Sequence, residues 1–200
     1  MRTIGLGSVE GRSIFMDTNS DSYFCIDPAL EVDVEAILEN GGVIKAADRL
    51  RFALGLADEP ARIVRADFIT PTASLLEKPD ASRARVGDVF NAASLLLRTR
   101  RLLRSRPIHS LLTVGFAQEP IGDRDLIDLA LRFLAARRLV PINRNCLLDS
   151  LSLVRWLGGG RLLFGVKLNP FAAHCWVQSG ALILNDLTEN VAAFTVVRVV

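Results

Sequence analysis

The chain has 200 residues, of which half are hydrophobic, and a formal net charge of +2 at pH 7. A chain of this length forms one large domain or two small ones, and its hydrophobic content is sufficient for a sizeable core. So small a net charge gives no general reason to expect nucleic acid as a partner, and no apolar run reaches the ~18 residues that a membrane-spanning helix requires.

The N-terminal part of the chain is predicted to form a small α+β unit. Two β-prone runs, Ser13–Asp17 and Ser22–Ile26, flank a polar turn, and this pattern predicts a hairpin. The helical spacing of apolar residues predicts a short helix over Val32–Leu38 and a second helix over Lys45–Leu56. Ala61–Thr70 is predicted to be one more extended segment. Strands followed by small helices in so few residues are typical of a winged-helix-like module.

A domain boundary is predicted after this unit. Pro71 and the run Lys78-Pro79-Asp80 interrupt the chain, which places the boundary near Leu75–Ser82. We therefore assign residues 1–78 to an N-terminal domain and residues 82–200 to a second domain.

Two helices are predicted at the start of the second domain, over Val86–Leu103 and over Asp123–Leu139. The second helix leads directly to Cys146 and is expected to brace the helix that follows.

The first helix ends in a cluster of arginines. We interpret this cluster as a solvated helix face, in preference to a site for phosphate or an acidic partner, and no interleaved aromatic residues suggest single-stranded nucleic acid. The cluster consists of Arg98, Arg100, Arg101, Arg104 and Arg106.

Cys146 lies in the first turn of a third predicted helix, which ends at Gly158-Gly159-Gly160. Asn143 and Asn145 are both suitable caps. The free N–H groups and the dipole at a helix start favour the thiolate over the thiol, and the thiolate is the nucleophilic form. The same N–H groups can contribute to an oxyanion hole, for which Asn143 is the candidate side chain.

A histidine and an aspartate follow Cys146 on predicted strands. Alternation places His174 and Trp176 on one face of a strand and Cys175 on the other, so Cys175 is expected to point away from the site. Asp186 lies at the end of the next strand, where its carboxylate can hold the imidazole nitrogen that does not face the sulfur. The sequence thus predicts Cys146, His174 and Asp186 as a catalytic triad. A zinc site is disfavoured because His174 and Cys175 face opposite ways.

The residues around this triad resemble those of the lasso-peptide maturation B proteins, whose catalytic domain is a transglutaminase-like, papain-type cysteine protease. The resemblance covers roughly Arg85–Val200. In one departure, Cys175 and Gln178 stand where the family usually has Ala and Glu. The matching runs are Cys146-Leu147, Leu163–Val166, Pro170–Val177 and Leu184–Asp186.

The resemblance implies helices packed on an antiparallel sheet and a cysteine peptidase that removes the leader of a ribosomally made precursor peptide. The peptide would then pass to an asparagine-synthetase-like cyclase, which closes the macrolactam. The chain contains no Gly-x-x-x-x-Gly-Lys loop, so no cofactor is expected, and any ATP requirement is assigned to the partner cyclase or the complex.

The N-terminal unit is similar in architecture to the PqqD-type precursor-binding domain that some B proteins keep fused. This similarity implies that the leader adds a strand to an exposed sheet edge. The expected lining is Tyr23, Phe24 and Cys25 on the last N-terminal strand, and Phe52 on the following helix. The competing interpretation is that aromatic residues such as Phe24 and Phe52 fill a small core.

Two functions of other classes stay open at this point. The first is a transglutaminase-like acyltransferase that acts on another amide substrate. The second is a non-catalytic protein that only presents the precursor. His109 is expected to be structural, and Cys25 and Cys175 are expected to be inert thiols.

The cysteine content and the N-terminus suggest where the protein works. The three cysteines include no close pair with metal-ligand spacing, which favours a reducing cytoplasm over a disulfide framework and predicts no bound metal. The first residues contain no long apolar region of the kind that directs secretion. We therefore expect a cytoplasmic protein.

Overall fold

The structure is a computed structural model that describes residues 1–45, 49–56, 60–77, 84–112 and 123–200. The strands of the described residues form two five-stranded sheets. The strands of the N-terminal sheet are β1 (Arg2–Val9), β2 (Arg12–Asp17), β3 (Ser22–Cys25), β4 (Val43–Ile44) and β5 (Ala61–Arg65). Those of the C-terminal sheet are β6 (Ala73–Ser74), β7 (Arg161–Lys167), β8 (Ala172–Ser179), β9 (Leu182–Ile183) and β10 (Thr195–Val199).

Seven α-helices lie in the described residues. They are α1 (Glu31–Glu39), α2 (Arg49–Ala53), α3 (Val86–Ser105), α4 (Ile108–Leu112), α5 (Asp123–Leu139), α6 (Cys146–Leu157) and α7 (Thr188–Ala192). The three long helices α3, α5 and α6 pack against one another, and α6 also packs on β8. In the described part of the chain, no helix is both long and apolar enough to cross a lipid bilayer.

The N-terminal sheet has the strand order β3-β2-β1-β5-β4. The predicted hairpin is confirmed, since β2 and β3 pair antiparallel. The second helix was predicted over Lys45–Leu56, and α2 ends earlier, at Ala53. It begins at Arg49, and residues 46–48 lie outside the described residues. Val43–Ile44, just before the predicted helix, forms β4. The extended segment at Ala61–Thr70 is a strand only as far as Arg65, and it runs parallel to β1. The similarity to a winged-helix or PqqD-type domain remains a prediction.

Strand β1 lies at the centre of the N-terminal sheet, although its sequence does not predict a strand. Gly5 and Gly7 give this stretch low β-propensity, but the structure needs both glycines. A Cβ atom at Gly5 would collide with the carbonyl oxygen of Val197, and one at Gly7 would collide with that of Val196. The two glycines therefore allow β10 of the C-terminal sheet to pack directly on β1.

Residues from both predicted domains share one hydrophobic core. Val9, Ile14 and Met16 belong to the same buried cluster as Leu148 and Leu151 of α6. Strand β6 also belongs to the C-terminal sheet, where it pairs parallel with β9. The predicted boundary near Leu75–Ser82 falls partly on residues 78–83, which lie outside the described residues. The division into residues 1–78 and 82–200 remains a prediction.

The C-terminal sheet has the order β10-β7-β8-β9-β6, and its first four strands are antiparallel, as expected. The chain forms the short helix α7 before the last strand of this sheet, β10, begins at Thr195. This helix follows Asp186 directly and contributes to the site described next.

Candidate active site

Helix α6 begins at Cys146 because Asn145 caps it. Asn145 has an extended backbone with φ −148°, and its side-chain oxygen accepts a hydrogen bond from the N–H of Leu148 at 3.0 Å. Of the two predicted caps, the structure therefore uses Asn145. Helix α6 ends at Gly158, whose left-handed backbone is the usual helix stop. The first N–H groups of a helix have no partner within the helix, and Asn145 satisfies the N–H of Leu148 among them.

His174 on β8 lies between Cys146 and Asp186. Its Nε2 donates a hydrogen bond to Asp186 Oδ2, and the imidazole also forms a side-chain hydrogen bond with Cys146. The rings of Trp176 and Phe194 lie near the imidazole, with centroids 6.1 Å and 5.2 Å away. The structure thus brings the three predicted residues together in the predicted order.

The Asp186 carboxylate is itself fixed by the start of the following helical segment. Its Oδ1 accepts hydrogen bonds from the N–H of Leu187 at 2.7 Å and from the Asn190 side chain at 2.9 Å. Burial alone would raise the pKa of Asp186, but the hydrogen bonds from His174, Asn190 and Leu187 outweigh it and lower that pKa. The carboxylate therefore stays charged and holds the imidazole in one orientation.

Hydrogen bonds at the site shift the pKa values of Cys146 and His174 in opposite directions. Hydrogen bonds from Cys175 and then from His174 lower the pKa of Cys146 to about 4, against the penalty of burial. The hydrogen bond to Asp186, followed by that to Cys146, raises the pKa of His174 to about 9. Between these values the pair exists as thiolate and imidazolium. This is the reactive state of a cysteine nucleophile.

Cys175 corrects one prediction, because its side chain points towards the site. The alternation along β8 is as expected, with His174 and Cys175 on opposite faces. However, α6 packs on the face that Cys175 occupies, so its first residue, Cys146, reaches both side chains. Cys175 is 3% exposed, and its hydrogen bond to Cys146, together with burial, keeps its own pKa well above normal. It therefore acts as a neutral S–H donor to Cys146.

This contact leads to a testable prediction. Cys175→Ala removes the largest influence that lowers the pKa of Cys146, so this pKa should rise above about 4. A hydrogen bond to a charged group contributes about 1.5–3 kcal/mol, so alkylation of Cys146 by iodoacetamide at pH 4 should slow about tenfold or more. Mass spectrometry of the modified peptide gives the rate. Cys25→Ser, which alters an exposed thiol, is the control and should leave the rate unchanged. An unaltered rate in Cys175→Ala would mean that Cys175 only fills space.

Two residues that the sequence analysis missed hold α6 against the sheet. Asn185 accepts a hydrogen bond from the N–H of Val177 at 2.8 Å and donates one to Ser150 Oγ at 2.8 Å. Ser150 in turn donates to the carbonyl of Cys175 at 3.2 Å. The network joins α6, β8 and the segment before Asp186, and thereby sets the distance between nucleophile and imidazole. Ser150 and Asn185 lie 35 positions apart, and no pattern in a single sequence connects them.

We expect Asn185→Ala to destabilise the protein by about 1–3 kcal/mol, because the buried N–H of Val177 would lose its acceptor. Urea denaturation followed by circular dichroism measures the free energy of unfolding. Asn91→Ala on the exposed face of α3 is the matched control and should change it by less than about 0.5 kcal/mol. Equal effects of the two substitutions would contradict the role given to Asn185.

Arg137 stabilises the turn before Cys146. This buried guanidinium forms an ion pair with Asp149 at 2.8 Å and donates to the carbonyls of Val140 and Ile142 at 3.1 Å and 2.9 Å. Helix α5 is predicted from the sequence to brace the helix that begins at Cys146. Arg137 gives that expectation a physical basis, since it joins the end of α5 to the first turn of α6.

The structure separates the residues predicted to bind a leader peptide. The Tyr23 ring packs edge-on against Phe171, with centroids 6.1 Å apart, and lies within electrostatic range of Cys146. Phe24 stacks on Phe15 in the N-terminal core, with centroids 5.7 Å apart. Cys25 is exposed, and Phe52 on α2 is 91% exposed. The four residues do not line one groove.

Asn143, the predicted oxyanion side chain, lies outside the cleft that contains the predicted triad. A cleft of about 340 Å³ contains Cys146, His174 and Asp186, whereas Asn143 is exposed and lines a neighbouring cleft. Its role as an oxyanion donor stays a prediction. His109 lies in α4. Among the residues that the structure describes, no group of three His, Cys, Asp or Glu side chains could hold a metal ion.

The chain matches a known protein family. A family model described as the transglutaminase-like superfamily matches residues 92–199, slightly more than half of the chain. The matched residues run from α3 to the end of β10 and include Cys146, His174 and Asp186. Neither the comparison with curated proteins nor that with solved structures found a match.

Proposed function

Because the chain belongs to the transglutaminase-like superfamily, we propose that it is a cysteine peptidase that cleaves a peptide bond through Cys146. One observation carries this proposal: Cys146 at the head of α6 shares one cleft with His174 and Asp186, and His174 Nε2 donates a hydrogen bond to the Asp186 carboxylate. Membership of the transglutaminase-like superfamily is compatible with peptidase or acyltransferase chemistry. The reaction and its substrate are the proposal.

The first half of the reaction forms an acyl-enzyme. The Cys146 thiolate attacks the carbonyl carbon of the scissile bond, and the free N–H groups at the head of α6 stabilise the oxyanion. The imidazolium of His174 then donates its Nδ1 proton to the departing amine, and the C–N bond breaks. A thioester on Cys146, a neutral imidazole and a free amine result.

The second half releases the acyl group. Neutral His174 takes a proton from water, and the resulting hydroxide attacks the thioester carbon. The C–S bond breaks, the carboxylic acid leaves, and the thiolate–imidazolium pair is restored. Asp186 keeps its charge throughout and preserves the orientation of the ring. The proposed reaction uses no cofactor, and any ATP requirement belongs to a partner cyclase or to the assembled complex.

The substrate that we propose is the ribosomally made precursor of a lasso peptide. The enzyme would remove the leader and free the amine that an asparagine-synthetase-like cyclase joins to a side-chain carboxylate. The support is the resemblance of the residues around Cys146, His174 and Asp186 to the B proteins. Cleavage in the cytoplasm, before closure of the ring, belongs to the same proposal.

Strand β3 is the proposed site of leader binding. It is the first strand of the order β3-β2-β1-β5-β4, so its outer backbone groups have no strand partner among the described residues. An extended peptide can add to such an edge through main-chain hydrogen bonds. Tyr23 on β3 and Cys146 pack against the same hydrophobic cluster, which supports a path from this edge to Cys146.

Mass spectrometry of the reaction products tests the proposal. The full chain is mixed with the precursor peptide encoded in a neighbouring reading frame and with its cyclase, in water enriched in ¹⁸O. We expect separate leader and core fragments, with one heavy oxygen in the new leader carboxyl group. An added amine in place of that oxygen would instead show acyl transfer. An intact precursor bound to an unreactive chain would show a presenting protein.

A further inference from the structure

A second and larger cleft lies next to the nucleophile. Its volume is about 700 Å³, and it is lined by the turn before α6, by the C-terminal part of α3 and by the turn between β2 and β3. Arg144 and Asn145 line both this cleft and the catalytic one. The two clefts therefore share a wall at the residues that immediately precede Cys146.

The charge of this second cleft is strongly positive. Its lining includes Arg100, Arg104, Arg106 and Arg144 but only one acidic residue, Asp21. We call it the arginine cleft. All four guanidinium groups are exposed, and none of them forms an ion pair with a carboxylate of the described residues. The arginines of the cleft are thus available to an external anion.

Other arginines near the site are used differently. Arg132 pairs with Asp88 at 2.6 Å, and Arg137 pairs with Asp149 at 2.8 Å. These ion pairs join helices and serve the fold. Within the part of the chain that the structure describes, carboxylates thus pair with these two arginines but not with those of the arginine cleft.

The helix dipole does not account for the cluster. Cations near the C-terminus of α3 are favoured by its dipole, which explains one or two arginines there. Arg100 and Arg104 lie one turn apart, however, and repel each other. Arg144 comes from a different element and still adds its charge to the same cleft. Arginines that converge from two elements indicate a ligand.

The other lining residues favour a peptide as that ligand. Leu103, Ile108 and Leu147 give the cleft apolar wall between its charges, which suits the aliphatic part of acidic side chains. No aromatic side chain is among the described residues that line it, so bases of a single-stranded nucleic acid would have nothing to stack on. Guanidinium groups bind carboxylates through paired hydrogen bonds.

We propose that the arginine cleft binds an acidic segment of the peptide substrate, next to the bond that Cys146 attacks. This inference rests on the proposed peptidase function and names a class of substrate for it. It replaces the interpretation of these arginines as a solvated helix face. The shared wall at Arg144 and Asn145 means that one extended peptide can occupy both clefts.

Peptide binding to the full chain carrying Cys146→Ala tests the proposal, because this variant binds without turnover. The probes are two fluorescein-labelled synthetic peptides that are identical except that a run of Glu in one is a run of Gln in the other. We expect fluorescence anisotropy to show about tenfold tighter binding of the Glu peptide at low salt, and a smaller difference at high salt. Equal binding of the two peptides would overturn the proposal.

Two charge reversals on α3 test whether the preference for the Glu peptide arises in the arginine cleft. Arg104→Glu alters the arginine cleft, whereas Arg101→Glu makes the same change in charge at an exposed residue outside it. We expect Arg104→Glu to abolish the preference for Glu and Arg101→Glu to retain it. Equal losses in both variants, or equally strong binding of oligothymidylate of the same charge, would show only a general attraction for polyanions.

The binding result and the peptidase result are independent. The binding assay contains no nucleophile, so tight and selective binding would stand even if the wild-type chain cleaved nothing. Cleavage of a precursor without any preference for acidic segments would overturn the inference on the arginine cleft and leave the peptidase proposal in place.

Discussion

Cys146→Ala and His174→Ala should each reduce precursor cleavage by about 10⁴- to 10⁶-fold, because nucleophile and acid–base group act as one unit. Loss of either group removes the thiolate–imidazolium pair. The double variant should therefore be no worse than the single ones. Liquid chromatography with mass spectrometry of the products at saturating precursor gives the rates.

An exposed residue of α3 offers a control for these variants. Asn91→Ala removes an exposed amide and should cleave at the wild-type rate, while all variants should have the circular dichroism spectrum of a folded protein. A Cys146→Ala variant that is folded and still cleaves normally would contradict the assignment of the nucleophile. Additive losses in the double variant would contradict the statement that the two residues act together.

Asp186→Ala should reduce cleavage by about 10²- to 10⁴-fold and narrow its pH profile. The hydrogen bond to Asp186 is the largest influence that raises the pKa of His174 to about 9. In the wild type, the imidazolium is present below pH 9 and is lost as the pH rises through that value. Without Asp186 the pKa of His174 falls, so activity should begin to decline at lower pH. A profile of kcat/KM against pH measures both effects.

Glu189→Ala is the matched control for this prediction. It removes a carboxylate from an exposed residue of α7, close to Asp186 in the chain. We expect the alkaline limb of its profile to stay near pH 9. If Asp186→Ala and Glu189→Ala gave the same profile, Asp186 would not be the group that orients and charges the imidazole.

Local patterns made the catalytic half of the fold predictable. Helix α6 has a cap before it, apolar residues at helical spacing within it and a glycine stop after it, and the structure gives it the predicted start at Cys146. His174 and Asp186 lie on the predicted strand and just beyond the end of the next. Caps, helical spacing and strand patterns can be recognised in the sequence because each involves only residues that are close together in the chain.

Tertiary packing accounts for the features that the sequence did not predict. Strand β1 has low local propensity, and only its contact with β10 explains Gly5 and Gly7. The orientation of Cys175 depends on which face of β8 receives α6, and strand alternation alone does not decide this. The hydrogen bond between Ser150 and Asn185 connects elements that are distant in the chain. Each of these facts requires knowledge of which elements pack together.

The pH dependence of Cys146 alkylation tests the central claim most directly. The wild-type chain is treated with iodoacetamide over a range of pH, and mass spectrometry gives the rates for Cys146 and, as an internal reference, for the exposed Cys25. We predict that the Cys146 rate rises with a midpoint near pH 4 and is lowered at that pH by His174→Ala. A midpoint near 9, the ordinary pKa of a cysteine thiol, with no response to His174→Ala, would contradict the account.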